Sequence, residues 1–438
     1  MHFKIAPRLT RRVAAGLLLL GWSAPVRADV FSDALFNNWN SEIYNAVEGI
    51  SGQHQIYSHA GYTGPSGTAS SGASMQAAAA SAAYTILQGL YSNPSGSFGD
   101  LYSSQLSSLA DDQAKLDGIN FGILVANDIL NWRNTDGASN PALYTPVGSA
   151  GYWATIDPLN QAAALPGWGS VGTFAIAGTA SYTGSLGMSN PDYLTTNAYA
   201  TDYNSVKTLG SASAPLNVRS AAQTDAAFFW NGAAGTITNA GLWNEVAKSV
   251  VSNEGLNLAD AARLYAALNI TIADTAIVTW KTKFDVDLWS PVTAITNGSA
   301  DGNADTVQDS NWVPLLDTPN YPAYFAEQAA LAAAAAGILE SFAGSGFAFS
   351  LGSDTDGDGL INLTTNFSSL GQARDQAIMS GVWGGTYMPQ AGTDAAVAGD
   401  QIATFVLNNN FAAVPEPSGL LLVVLSGLTL MRRRRCRA

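Results

Sequence analysis

The chain has 438 residues, 47% of them hydrophobic and only 12% charged, with 33 acidic against 19 basic side chains and a formal net charge of −14. One hydrophobic core stops growing near ~250 to 300 residues, so this length accommodates one large domain or two packed ones. An acidic field of this size repels nucleic acid and anionic lipid headgroups, and it opposes phosphate-type ligands unless a local basic pocket overcomes it.

At the N-terminus, Lys4, Arg8, Arg11 and Arg12 precede an apolar run from Val13 to Trp22, and Val26-Arg27-Ala28 offers a small-residue cleavage site. That order predicts a signal peptide over 1–28 and a mature chain beginning at Asp29. Residues 29–215 are expected to form an N-terminal helical region with Gly/Ser/Thr-rich connections. An Ala-rich helical run from Ser74 to Tyr91 belongs to it, and 135–215 read as long irregular connections. His54 and His59 stand five apart, which places them on different faces of either a helix or a strand. With Gly52, Gly61 and Gly64 around them, they read as loop histidines without function.

Periodicity sharpens over 216–412. Leu264, Leu268, Ile272 and Ala276 recur every fourth residue beside Ala273, Ile277 and Trp280, which predicts a buried or amphipathic helix capped by Asn257 with Asp260. Leu331, Ala335, Ile338, Leu339 and Phe342 mark a second helix. Two more are expected over about 371–383 and 393–407, the last with Ile402, Phe405 and Val406 facing inward. Four helices in this order suggest a bundle. Between the second and third, Asp354, Asp356 and Asp358 precede Gly359 with oxygen ligands at alternate positions, as in calcium loops. The twelfth position is Thr365, where an EF-hand needs a glutamate, so calcium is one reading and an acidic turn the other.

The C-terminus carries Val414-Pro415-Glu416-Pro417, an apolar stretch from Gly419 to Met431, and then Arg432, Arg433, Arg434, Arg435 and Arg437. Residues 414–438 resemble a PEP-CTERM sorting tail, which implies a sorting transpeptidase as partner and transient membrane anchoring. The apolar stretch is short of the ~20 residues a lasting span needs. The resemblance implies delivery through the inner membrane to the cell envelope, surface or extracellular matrix, where polysaccharide or surface proteins would be met. Removing the five basic residues before Asp29, the five in the tail and Glu416 leaves nine basic against 32 acidic side chains, a balance of −23. Cys436, the single cysteine, leaves with the tail, so the mature domain has no disulfide.

Residues 202–209, 219–230, Leu242-Trp243-Asn244 and 258–295, continued by 319–339 and 373–407, resemble the bacterial branch of the vanadium-dependent haloperoxidase and type 2 phosphatidic acid phosphatase superfamily. The resemblance implies an all-α fold of two packed helix bundles with an oxyanion pocket in the second. Chemistry there needs fixed cationic donors, one imidazole to bind vanadium or attack phosphorus, and a second as acid or base. The family supplies Lys-x6-Arg-Pro, Pro-Ser-Gly-His and Ser-Arg-x5-His. In this chain Lys283 holds the lysine position, and Ser290 with Pro291 holds that of the first arginine. Phe325, Ala326, Glu327 and Gln328 stand where Pro-Ser-Gly-His is expected; Ser380-Gly381 replaces Ser-Arg, and Tyr387 replaces the last histidine. No slip of alignment restores an imidazole, because the three histidines are His2, His54 and His59.

Lys283 then reads either as a remnant anion donor or as an ordinary solvated or paired lysine beside Lys281, Asp285 and Asp287. Tyr324, Phe325, Trp383 and Tyr387 are expected to fill the space of the anion. The leading expectation is an exported pseudoenzyme with no cofactor. The alternative is an active phosphatase or vanadium haloperoxidase, with vanadate, rebuilt around Lys283, Glu327, Arg374 and Tyr387. Convergence of Lys283, Arg374 and Tyr387 on one open cavity would favour the alternative, and aromatic rings plugging that place would favour the first.

Overall fold

The computed structural model describes residues 72–411, apart from 91–96, 141, 156–161, 184–189, 214–216, 233–235 and 359. Residues 1–28, His54, His59, Pro415, Glu416, Pro417 and the remaining C-terminal residues lie outside the described residues. Within them the chain is mostly helical, with twelve α-helices and one two-stranded antiparallel sheet.

Three helices open it: α1 (Met75–Leu90), α2 (Ser97–Ser107) and α3 (Gln113–Arg133). α1 buries a continuous alanine surface, Ala77 to Ala80 with Ala82 and Ala83, against which Phe121, Val125 and Ile129 of α3 pack. Ala79 and Ala83 also meet Ala262, so the alanines bring α1 against the long helix α8 (Leu258–Val286) of the second half. Asn257 caps α8 as expected, its side chain accepting from the Ala259 and Asp260 amides at 2.9 and 3.0 Å. All seven apolar positions read from the sequence are buried, and so is nearly every residue from Ala261 to Lys283. Among the described residues, α8 alone is long and apolar enough to cross a membrane, but the protein itself covers 94% of its apolar window. It is a core helix.

The expectation of irregular chain over 135–215 needs correction. The helices α4 (Asn190–Leu194) and α5 (Asn197–Leu209) fall inside it. Thr196 caps α5 through the Tyr199 amide, and Tyr199, Tyr203 and Val206 bury one face. The asparagines, threonines and aspartate of this stretch concealed that stripe; the burial of two tyrosines, a tertiary effect, outweighs the low intrinsic propensity. Residues 134–155 and 162–183 are indeed irregular, apart from a 3-10 turn at Trp168–Ser170.

Helices α6 (Ala221–Phe229) and α7 (Thr238–Asn253) precede α8, the short α9 (Pro291–Thr296) follows it, and α10 (Glu327–Ala343), α11 (Leu370–Gly384) and α12 (Pro389–Asn409) complete the second bundle. These last three cover the second, third and fourth helices expected from the periodicity. α10 and α12 approach very closely through small residues. A Cβ on Gly399 would lie 2.3 Å from the Ala330 carbonyl oxygen, which only glycine avoids. Between α10 and α11 lies the hairpin of β1 (Phe349–Ser353) and β2 (Leu363–Phe367), with Leu351 opposite Thr365. One apolar cluster runs through both halves.

One buried carboxylate of α8 gathers three amides of the irregular connection. Asp274, fully buried in mid-helix, accepts from the amides of Phe174, Ala175 and Ile176 at 2.6, 2.8 and 3.0 Å. Arg133 at the end of α3 lies over the Phe174 ring at 3.8 Å and donates to the Gly172 carbonyl at 2.8 Å. The same short segment therefore holds α3 to α8. Burial pushes the Asp274 carboxyl up from 3.8 to about 6, against the lowering effect of the three amides and Arg133. A raised carboxylate contributes stability in its protonated form, fully present below the unfolded value and lost as pH rises through about 6. That loss is worth about 3 kcal/mol. Asp274→Asn, measured by denaturant unfolding across this pH window, is expected to show a shallower decline than the wild type, the remainder coming from other raised carboxylates such as Asp287; an unchanged slope would refute the assignment.

Candidate functional site

Lys283 sits in the last turn of α8, and the chain just beyond that helix shapes its surroundings. Asp287 ends α8 in the left-handed region at φ 56°, with its amide on the Lys283 carbonyl at 2.9 Å. A short antiparallel bridge then holds residues 151–153 against 287–289 through Trp153 N to Asp287 O at 3.0 Å and Trp289 N to Gly151 O at 2.9 Å. The Asp287 carboxylate accepts from the Tyr144 hydroxyl at 2.8 Å, and burial raises its pKa to about 6. It is therefore not a partner of Lys283. Lys281 pairs with Asp285 at the surface.

Lys283 is wholly buried, which overturns its reading as a solvated lysine. Its Nζ donates to the Phe325 carbonyl at 2.5 Å and the Pro322 carbonyl at 3.2 Å, lies 3.2 Å from the Tyr387 hydroxyl, and pairs with Glu327 Oε2 at 3.1 Å. The Tyr321 and Tyr387 rings flank it, with centroids at 4.5 and 4.7 Å. The Tyr321 hydroxyl donates to Glu327 Oε1 and the Tyr387 hydroxyl to Oε2. Burial depresses the Lys283 pKa, and the Glu327 charge works in the opposite direction. Both phenols are pushed well above the usual tyrosine value by burial first and by the Glu327 carboxylate second.

The elements that bring these groups together are the end of α8, the turn 321–326, the first residue of α10 and the segment joining α11 to α12. Gln328, one residue along α10, is buried against α11. A Cβ on Gly381 would meet Gln328 Nε2 at 2.4 Å and Tyr387 Cδ2 at 2.7 Å, so side chains already in place fill the space beside that glycine. Ser290 is buried at the start of α9, where its carbonyl accepts the Ala294 amide. Phe325 and Ala326 are buried, and Phe325 serves Lys283 through its carbonyl. Tyr324 turns away: its hydroxyl donates to Asp394 on α12 at 2.7 Å. Trp383 is half-buried and makes none of the polar contacts of this cluster.

Of the four residues proposed as a rebuilt pocket, Lys283, Glu327 and Tyr387 converge. Arg374 does not, since it pairs with Asp400 at 2.5 Å and with Asp375 at 3.4 Å. Tyr321 was missed by the sequence reading. Its position just before Pro322-Ala323-Tyr324 was the available clue, but nothing local signals that its hydroxyl reaches a carboxylate six residues on.

The Asp354, Asp356 and Asp358 carboxylates also converge, their oxygens within 4.8 Å of one another. They sit at the tip of the β1–β2 hairpin, where Asp354 Oδ1 accepts the Gly357 amide at 2.7 Å and Asp358 Oδ1 the Leu360 amide at 2.8 Å. Thr365, the twelfth loop position, is within β2, so no EF-hand helix comes after the loop.

Residues 263–414 match the family described as the VCPO second helical-bundle domain. The chain has a vanadium haloperoxidase-like scaffold. Its fold is similar to that of a bacterial vanadium-dependent iodoperoxidase, with a TM-score of 0.70 and 20% identity over 93% of this chain and 98% of the other. Holo-type and apo-type structures of a bacterial vanadium-dependent chloroperoxidase are similar at a TM-score of 0.64 and 14% identity; the holo form is matched over 90% of this chain and 96% of its own, the apo form over 93% and 96%. No curated protein matches the sequence.

Removing one partner of a buried ion pair leaves the other uncompensated and costs about 3 to 5 kcal/mol. Lys283→Met is therefore expected to destabilise the protein by that amount in chemical unfolding. A loss below about 1 kcal/mol, the scale of an exposed pair, would show that the pair is not a buried one.

Proposed function

We propose that the chain is an exported surface or matrix protein that keeps the vanadium haloperoxidase scaffold without vanadate or phosphate chemistry. The observation that carries this reading is the commitment of Lys283: its ammonium is held by two backbone carbonyls, a phenol and Glu327, with no second cationic side chain among those contacts. A bound vanadate needs a neutral nitrogen ligand and several cations around its oxygens. Residues 72–411 contain no histidine, and Gln328 and Tyr387 crowd the Gly381 position that the family gives to an arginine. The residues present do not fit the group, and no step is assigned to it.

The alternative of a working rebuilt pocket draws on the activities of the iodoperoxidase and chloroperoxidase neighbours, but fold alone is weak evidence for chemistry. Without Arg374, the three groups that converge carry a balance of charge close to zero. Export and sorting rest on the basic and apolar leader, the Pro415-Glu416-Pro417 box and the arginine-rich end. The strongly acidic mature chain fits partners such as polysaccharide or surface proteins better than nucleic acid.

The test is titration calorimetry of the mature chain with orthovanadate and phosphate, alongside phosphatase and bromide-oxidation assays. No saturable binding and no turnover are expected; saturable vanadate binding would overturn the reading. Mass spectrometry of protein recovered from the producing cells should find the chain beginning at Asp29 and lacking the arginine-rich tail.

A second reading concerns the hairpin tip, where convergence of Asp354, Asp356 and Asp358 supports a calcium-stabilised loop. Calcium should then raise the melting temperature, and Asp356→Asn should abolish the rise. Absence of both heat and a thermal shift would leave the loop as an acidic turn closed by its own amides.

A further inference from the structure

A lysine pocket that has lost vanadate, the proposal on which this inference rests, still has a complete set of polar groups aimed at one occupant. Glu327 Oε1 receives the Tyr321 hydroxyl, and Oε2 receives the Tyr387 hydroxyl and the Lys283 ammonium. Two phenols and one ammonium thus surround two oxygens of a planar carboxylate. The occupant is the first residue of α10, where the partial positive charge of a helix N-terminus also favours an anion.

Charge sets the class of anion such a cradle takes. Lys283 is its one cation, fully buried, so a monoanion brings the local balance to zero. Lys281 and Arg374 are engaged with Asp285, Asp375 and Asp400. A phosphate dianion would leave a net negative charge in a desolvated place, which is costly. Shape points the same way, because the three donors meet two oxygens of one plane, whereas a tetrahedral anion presents four. The site also retains a path to solvent: the Glu327 side chain is 19% exposed, while Lys283 behind it is 0% exposed.

We propose that Lys283, Tyr321 and Tyr387 form a carboxylate-binding cradle whose resident ligand is the Glu327 side chain, and that a free monocarboxylate of formate or acetate size takes its place once that side chain is removed. Glu327→Ala deletes a methylene and a carboxylate, which is acetate in atoms and charge. Acetate therefore restores the missing contacts without moving the donors, whereas phosphate and orthovanadate do not.

The experiment is thermal unfolding of the full chain carrying Glu327→Ala, titrated with sodium acetate, formate, phosphate or orthovanadate against sodium chloride at matched ionic strength. Acetate and formate are expected to raise its melting temperature saturably, by roughly 3 °C or more, beyond chloride. Wild type and the isosteric Glu327→Gln, whose cradles are filled, should not respond, and Lys283→Met in the Glu327→Ala background should abolish the response. If Glu327→Ala folds only poorly, recovery of its helical circular dichroism on refolding in acetate, but not in chloride, is the expected result. Failure of acetate and formate to exceed chloride in both measurements overturns the proposal, as does stronger stabilisation by phosphate or vanadate. Vanadate binding by the wild type would instead sink the proposed function, so the two failures are distinguishable.

Discussion

A buried ammonium group is the constraint on which this second bundle depends. Lys283 lies near the end of a helix most of whose apolar length the fold covers, and it is itself wholly buried, so its charge has no water to answer it. The structure answers with protein. The turn after Pro322 directs two carbonyls at Nζ, α10 begins on a carboxylate, and the α11–α12 connection delivers a phenol. Each element end is positioned by helix packing elsewhere, and the lysine is where those positions must agree. A loss of any one would leave a charge or a donor unsatisfied at a cost comparable to a good part of a domain's stability.

Helix packing itself relies on small residues. The alanines of α1 and α10 and glycines such as Gly399 let backbones approach to distances that any larger side chain would forbid. This requirement is independent of the chemistry at Lys283. It fits a scaffold similar to those of haloperoxidases at 14 to 20% identity. Core volume and site chemistry are separate demands on the sequence. Asp274 belongs to the first demand: it gives the irregular connection a fixed point on α8, where no regular element could supply one.

The occupied lysine pocket also bears on stability. Glu327 neutralises Lys283 within the chain, so the folded state needs no ligand to balance that charge. Electrostatic repulsion across the acidic surface favours solubility, while packing and the internal ion pair hold the bundle together.

Much of the scaffold was legible in the residues alone. Apolar spacing located α8, α10, α11 and α12, the Asn257 cap located the start of α8, and the missing histidines and arginines were visible as letters. These are local signals, carried by a few neighbouring positions and by the period of the helix. Helix α5 escaped because its stripe is made of tyrosines among polar residues, and only burial against the rest of the bundle favours it. The partner of Lys283 was only partly legible: Glu327 stood among the four residues of the rebuilt-pocket reading, but no local signal singled it out. Glu327 lies 44 positions away, and Asp285 and Asp287 were nearer in sequence; which carboxylate meets the lysine depends on where the chain returns after α9. Sequence therefore determined the helices and the absence of histidine from residues 72–411. Only the tertiary structure decided that Glu327 occupies the cradle, because ion pairing in a buried site depends on distance in space and exclusion of water.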